Sequence, residues 1–169
     1  MNDILDKSLW SFDKRLVLLK WFNGDVSPDK VSFQCSSIWI RVFNIPIKSM
    51  NSTVGNYIAN EIGIPILVDA PKSGLAWGPF LRIRVDIDIT KPLMRGKMIH
   101  IEGVEKGCVY FKYERLPIYC YRCGILGLQE RECQHARKWC ISSDEDDYQF
   151  GLWLHVVGSK ANRGKNFHN

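Results

Sequence analysis

Aliphatic residues occupy every second position in two stretches of the chain, 38–43 and 80–89. Because successive side chains of a β-strand point to opposite faces, this period predicts two strands that each bury one face. On the second strand, Arg82 and Arg84 lie on the other face, and Asp86 and Asp88 follow them on that face. We expect these two arginines to be solvated, with their charge tempered by the neighbouring carboxylates.

A helix is predicted after the first of these strands. Ser52 or Thr53 can cap its N-terminus. Every fourth residue from Val54 to Ile62 is aliphatic, and Gly63 follows as a helix-ending residue. Further strands are predicted at 15–21, 64–69, 98–102 and 108–114, the last two as the arms of a hairpin.

This order of elements indicates an α+β fold, in which one antiparallel sheet carries one main helix across a face. Little chain precedes the first strand, so we expect an N-terminally truncated copy of such a domain. The composition is globular, with 46% hydrophobic and 24% charged residues.

The sequence has no apolar run of the ~20 residues that a membrane-spanning helix needs, and its N-terminus lacks signal-peptide features. We therefore expect an intracellular protein, in a reducing compartment and without a membrane partner. The net charge of +5 is compatible with binding to a polyanion, although it also serves solubility.

Four of the six cysteines crowd into one segment, at Cys120, Cys123, Cys133 and Cys140. In a reducing compartment such clustering favours a metal site over disulfides. The first two have the C-x2-C spacing of a zinc turn, and the glycine after them permits a tight backbone. The third lies where a zinc knuckle of pattern C-x2-C-x4-H-x4-C closes.

The histidine of that pattern would fall at position 128, where this chain has Leu128. A structural zinc needs four tetrahedral nitrogen or sulfur ligands, so the fourth must come from elsewhere. Either Cys140 or His135 supplies it, or the metal is bound weakly, completed by water, or not bound. The predicted metal ligands are Cys120, Cys123, Cys133 and Cys140, with His135 as the alternative fourth ligand.

The residues around these cysteines resemble a known family. The resemblance lies in segments 10–13, 39–46, 78–85, 90–93, 111–117, 119–124 and 149–154. Taken in this order, the segments resemble those of a plant domain of unknown function that precedes a CCHC-type zinc knuckle. That family occurs in proteins related to the reading frames of LINE-type, non-LTR retrotransposons.

The resemblance implies zinc as the cofactor, binding of single-stranded RNA or DNA through the knuckle, and an RNA-recognition-like sheet upstream. The residue after the first cysteine of a knuckle often stacks on an unpaired base, and Tyr121 occupies that position. The predicted nucleic-acid-binding residues are Tyr121, Arg122, Ile125, Arg131, Arg137 and Lys138.

Trp39, Arg41 and Phe43 occupy the polar face of the first predicted strand. They could form an aromatic and basic platform of the kind that RNA-binding sheets use. The octapeptide expected of such sheets is absent from the sequence, so we expect a helix or loop to cover these three side chains.

Three parts of the chain are predicted: an α+β domain at 1–115, a degenerate zinc knuckle at 116–141, and an acidic linker with a basic tail at 142–169. No catalytic motif is visible, so we expect no enzyme and no small-molecule substrate. We expect a nucleic-acid-binding protein of retrotransposon origin, for which a nuclear location would be suitable. The alternative is a protein-interaction or structural remnant whose knuckle binds neither metal nor nucleic acid.

Overall fold

The computed structural model describes residues 10–13, 15–19, 24–25, 27–71, 74–100, 107–134 and 149–156. Two short strands, β1 (Trp10–Phe12) and β2 (Arg15–Val17), form an antiparallel hairpin. The elements that follow in chain order are β3 (Cys35–Phe43), α1 (Ser52–Ile62), β4 (Ile64–Asp69), β5 (Phe80–Asp88), β6 (Gly96–Ile99) and β7 (Gly107–Tyr113).

The last five strands form one antiparallel sheet in the order β4-β5-β3-β7-β6. The chain leaves β3, passes through α1 and enters β4 at the edge, and β5 then fills the place between β3 and β4. Within the described residues, the predicted α+β class with one helix and an antiparallel sheet is confirmed.

One face of this sheet forms the core, as the alternating pattern predicts. Ile38, Ile40 and Val42 of β3 are fully buried, and their antiparallel partners on β5 are buried beside them. Aliphatic burial of this extent stabilises by about 1.5–3 kcal/mol per side chain. The same core cluster includes Tyr119, Leu126, Phe150 and Leu154, so the cysteine segment and residues 149–156 pack into the core of the sheet domain.

The helix α1 packs on this core face over β4 and β5. Its N-cap is Asn51, whose side-chain oxygen accepts a hydrogen bond from the Val54 N–H at 2.9 Å, so the prediction of Ser52 or Thr53 as cap was wrong by one or two positions. The aliphatic face is as predicted, with Ile58 fully buried. Gly63 ends the helix where a Cβ would lie 2.3 Å from the Asp86 carbonyl oxygen of β5.

The opposite face of the sheet is built from half-buried arginines and aromatic rings. The Glu114 carboxylate accepts hydrogen bonds from Arg41 at 2.7 Å and from Arg82 at 2.8 Å. The Arg82 guanidinium also lies 3.7 Å from the centre of the Trp39 ring. The expectation of solvated Arg82 and Arg84 was therefore wrong, because Glu114, distant in the sequence, reaches Arg82 across β3, and Arg84 is half-buried as well.

Trp39, Arg41 and Phe43 are half-buried by their neighbours in the sheet, whereas α1 lies on the other face. The Phe43 ring packs at 5.4 Å from the Phe80 ring across the β3–β5 pair, and Arg41 lies 4.4 Å from the same Phe80 ring. The predicted cover was a helix or a loop. The helix α1 does not provide it, and in the described residues cross-strand contacts bury part of these side chains.

Some element boundaries also differ from the prediction. The hairpin arms are 96–99 and 107–113, each shifted towards the N-terminus, because the register pairs Gly96 with Tyr110. The described part of the predicted strand 15–21 is β-structure only at Arg15–Val17. None of the helices in the described ranges is long and apolar enough to cross a membrane.

Candidate metal centre and the groove beside it

The cysteine segment begins as a small hairpin whose tip carries the C-x2-C turn. The N–H of Gly127 donates to the Ile118 carbonyl at 2.7 Å, and Tyr119 bridges Leu126 in antiparallel fashion. At the tip, the N–H of Gly124 donates to the Cys120 carbonyl at 2.8 Å. Gly124 has φ +74°, in the left-handed region that favours glycine, which explains its place directly after the second cysteine.

The sulfur atoms of Cys120, Cys123 and Cys133 all lie within 4.8 Å of one another. A one-turn helix at Glu130–Glu132 returns the chain so that Cys133 meets the tip of the hairpin. Two sulfurs on one tetrahedral zinc at about 2.3 Å are about 3.8 Å apart, so metal binding needs movements of about 1 Å or less. The three cysteines are positioned to hold a metal ion, and their soft sulfur atoms suit zinc.

The environment of the cluster favours the protonated thiol of Cys123 when no metal is bound. Cys120 and Cys123 are buried, and burial raises the pKa of Cys123 to about 12, with a further contribution from hydrogen bonds to the other two thiols. A backbone hydrogen bond from Ile125 acts in the opposite direction because it stabilises a thiolate. A metal must therefore displace protons, which makes its affinity depend on pH.

Residues 149–156 return to the cysteine hairpin and join it to the sheet. The N–H of Phe150 donates to the Tyr121 carbonyl at 3.1 Å, and the Tyr119 hydroxyl donates to the Gly151 carbonyl at 2.5 Å. The Phe150 ring lies so close that a Cβ on Gly124 would be 2.5 Å from it. The backbone of Val156 also bonds to β7, so this segment links both parts.

A groove of about 770 Å³ lies beside the cysteine hairpin. Its lining combines aromatic rings and apolar side chains with one cation, one carboxylate and one amide: Leu116, Pro117, Ile118, Tyr119, Tyr121, Gln129, Glu130, Arg131, Leu152 and His155. Three of these rings are neighbours: the centre of the Tyr119 ring lies 5.1 Å from that of Tyr121 and 5.4 Å from that of His155. Burial lowers the pKa of His155, so its imidazole is neutral at pH 7 and offers an uncharged ring.

Residues 87–135 match the family described as a zinc knuckle. The match begins in the last residues of β5, includes the β6–β7 hairpin and contains all three clustered cysteines. Comparison with curated proteins and with solved structures gave no significant match.

The predicted metal ligands are brought together in part. Cys120, Cys123 and Cys133 form the cluster, whereas Cys140 and His135 lie outside the described residues. In the part of the chain that the structure describes, no other histidine, cysteine or acidic residue joins the group. The identity of the fourth ligand stays a prediction.

The predicted nucleic-acid contacts divide in the same way. Tyr121 and Arg131 line the groove together, and Arg122 is exposed at the tip of the hairpin. The half-buried Ile125 is absent from the groove lining, and its backbone instead serves the cysteine turn. Arg137 and Lys138 lie outside the described residues.

The sequence analysis missed His155, Tyr119 and Leu152 as groove residues. No spacing rule connects residue 155 to a knuckle that closes at residue 133. Only the return of the chain at 149–156 places the His155 imidazole beside the Tyr119 ring. The sequence near residue 155 therefore holds no signal that would have predicted its place in the groove.

Proposed function

We propose that this protein binds single-stranded RNA or DNA through a zinc-centred segment, Cys120–Cys133, and the groove beside it. The observation that carries the proposal is the cluster of three cysteine sulfurs within 4.8 Å, inside the region that matches a zinc knuckle. The metal would fix the hairpin tip and so hold Tyr121 and Arg122 in position. On this proposal the protein is a binding module and not an enzyme.

The groove supports a single-stranded ligand because an unpaired base exposes both of its faces for stacking. Tyr121 and the neutral His155 supply rings, and Arg131 supplies a cation at the same groove. Stacking of one base on an aromatic side chain contributes about 1–3 kcal/mol and tolerates any base. The basic residues would add contacts to phosphates that weaken as salt rises.

Zinc binding is tested by metal analysis of the purified protein and by spectroscopy after cobalt substitution. We expect about one equivalent of zinc per chain and thiolate charge-transfer bands with cobalt. Cys123→Ser should abolish both signals, whereas Cys35→Ser should change neither, because Cys35 is exposed and outside the cluster. Cobalt spectra without thiolate bands would contradict the proposal.

Nucleic-acid binding is tested by fluorescence anisotropy with a labelled single-stranded oligonucleotide. Tyr121→Ala should weaken binding by about 1–3 kcal/mol, the contribution of one stacked base. Tyr57→Ala is the matched control. Tyr57 is an exposed tyrosine of α1, the helix that covers the core face of the sheet. Equal affinities of the two variants would remove the groove from the proposal.

Leu128 supports a second candidate, a protein-interaction or structural remnant whose cysteines bind no metal. Leu128→His separates the two candidates. In a working site with an incomplete ligand set, the new imidazole should tighten zinc binding at least about tenfold, which requires only about 1.4 kcal/mol. A wild-type chain that binds neither zinc nor oligonucleotide would favour the remnant.

Two finer aspects of the proposal concern ancestry and fold. In the described residues, β3, α1 and β4, with β5 between the two strands, form a split β-α-β arrangement, which supports likeness to an RNA-recognition sheet. The plant and retrotransposon origin stays a prediction from the resemblance alone.

A further inference from the structure

Two rows of side chains cross the middle of the sheet on the face opposite α1. Register places Arg82, Arg41 and Lys112 directly beside one another on β5, β3 and β7. The adjacent row consists of Phe80, Phe43 and Tyr110 on the same three strands. Since neighbouring strands are about 4.8 Å apart, each row extends about 10 Å, which is comparable to the size of a nucleotide.

The β7 end of these rows opens into a second groove, of about 630 Å³. Its lining residues are Phe43, Arg95, Gly96, Cys108, Tyr110, Phe111, Lys112 and Trp153. Trp153 comes from the segment 149–156, so this segment also contributes to the groove. Tyr110 and Trp153 are each about half exposed, at 54% and 50%, so their rings are accessible to a ligand.

The charges of this groove favour an anion. None of the lining residues that belong to the described ranges is acidic. Among the described residues, Lys112 has no carboxylate partner, and its Nζ lies 5.4 Å from the centre of the Phe43 ring. Where the structure describes the chain, the Arg95 guanidinium donates a hydrogen bond to the backbone carbonyl of Gln149 and pairs with no carboxylate. By contrast, Arg41 and Arg82 at the other end of the cationic row are neutralised in part by Glu114.

We infer that this groove, lined by Phe43, Tyr110, Trp153, Lys112 and Arg95, is a second contact site for single-stranded nucleic acid. The aromatic rings stack on a base, while Lys112 and Arg95 contact the phosphates on either side of it. The Tyr110 hydroxyl has no hydrogen-bond partner in the described part of the chain and is available to a base edge. The inference extends the proposed function, since the ligand is the same strand, but it needs no metal ligand.

The test uses the full chain with zinc and a labelled single-stranded oligonucleotide. Tyr110→Ala should weaken binding about fivefold or more, as expected for one lost stacked base, whereas the control Tyr57→Ala leaves it unchanged. Lys112→Gln should lower the slope of log affinity against log salt by about 0.7, the value for one phosphate contact on a single strand. Lys112→Arg, which keeps the charge, should retain the wild-type slope.

Photo-crosslinking separates this inference from the knuckle proposal. An oligonucleotide that carries 5-iodouracil should crosslink to Tyr110 or Trp153 in addition to Tyr121. Crosslinks at Tyr121 alone, with unaltered affinity of Tyr110→Ala, overturn the inference and leave the knuckle proposal intact. Crosslinks at Tyr110 or Trp153 but not at Tyr121 would support this inference and contradict the knuckle proposal.

Two further outcomes overturn the inference in favour of other occupants. If poly-glutamate competes as well as an unlabelled oligonucleotide of equal charge, the groove recognises an acidic peptide and stacking has no role. If Tyr110→Ala changes the sedimentation of the free protein but not its affinity for the oligonucleotide, the groove is an interface between copies of this chain.

Discussion

Gly124 is the position where the cysteine turn and the segment 149–156 depend on each other, and Gly124→Ala tests that dependence. Two costs add at this residue. Its φ of +74° is left-handed, which costs a residue with a Cβ about 1–2 kcal/mol. The added Cβ would also lie 2.5 Å from two ring atoms of Phe150, a contact that real Cβ atoms do not make.

Phe150 cannot withdraw cheaply from this contact. Phe150 is only 6% exposed and belongs to the core cluster, and the Arg95 guanidinium lies 5.5 Å from the centre of its ring. Overpacking of a buried site costs about 1–3 kcal/mol. Together with the backbone cost, we expect Gly124→Ala to lower the free energy of unfolding by about 2–5 kcal/mol.

Gly127→Ala is the matched control, because Gly127 has φ +76° but no atom within 4 Å of an added Cβ. In this variant the free energy of unfolding should fall only by the backbone cost of about 1–2 kcal/mol. The measurement is urea unfolding of both variants at equal zinc concentration, followed by the same pair in a Phe150→Ala background. There the excess loss at Gly124 should disappear, since the clashing ring is gone. Equal losses at the two glycines in the wild-type background would refute the packing of Phe150 on the turn.

Two other predictions concern the sheet. Burial would raise the pKa of Glu114, but hydrogen bonds and the charges of Arg82 and Arg41 outweigh it and hold that pKa below the usual 4.5. The stability that results is present above pH 4.5 and is lost as pH falls through the lower folded-state pKa. In Glu114→Gln, the free energy of unfolding should therefore fall less steeply at acid pH than in the wild type. An unchanged acid profile would contradict the ion pairs. Gly55→Ala should destabilise by up to about 2 kcal/mol, because its Cβ would lie 2.5 Å from Val68 and this overpacking outweighs the better helix propensity of alanine. Thermal unfolding should show no such loss for Asn60→Ala on the exposed side of α1, and an equal loss there would argue against the close packing of α1 on β4.

Local periodicity predicted much of the fold. The buried faces of β3 and β5 and the aliphatic face of α1 depend on residues two to four positions apart, and the structure has them as expected. The helix cap was missed because Asn51, Ser52 and Thr53 are all capable caps, and only the backbone path out of the preceding turn selects Asn51. Strand membership alone does not decide burial either: Cys35 is exposed although it belongs to β3, since it is the first residue of that strand.

The sequence by itself determined the turn with its C-x2-C spacing and the return of Cys133, because the ligands of a small metal site are close along the chain. Only the tertiary structure decided what surrounds that site. Phe150 against Gly124, His155 beside Tyr119, and the cationic and aromatic rows across β5, β3 and β7 all join residues far apart in sequence. Their proximity depends on strand register and on where residues 149–156 pack, and both follow from the burial of the whole core, not from any local pattern.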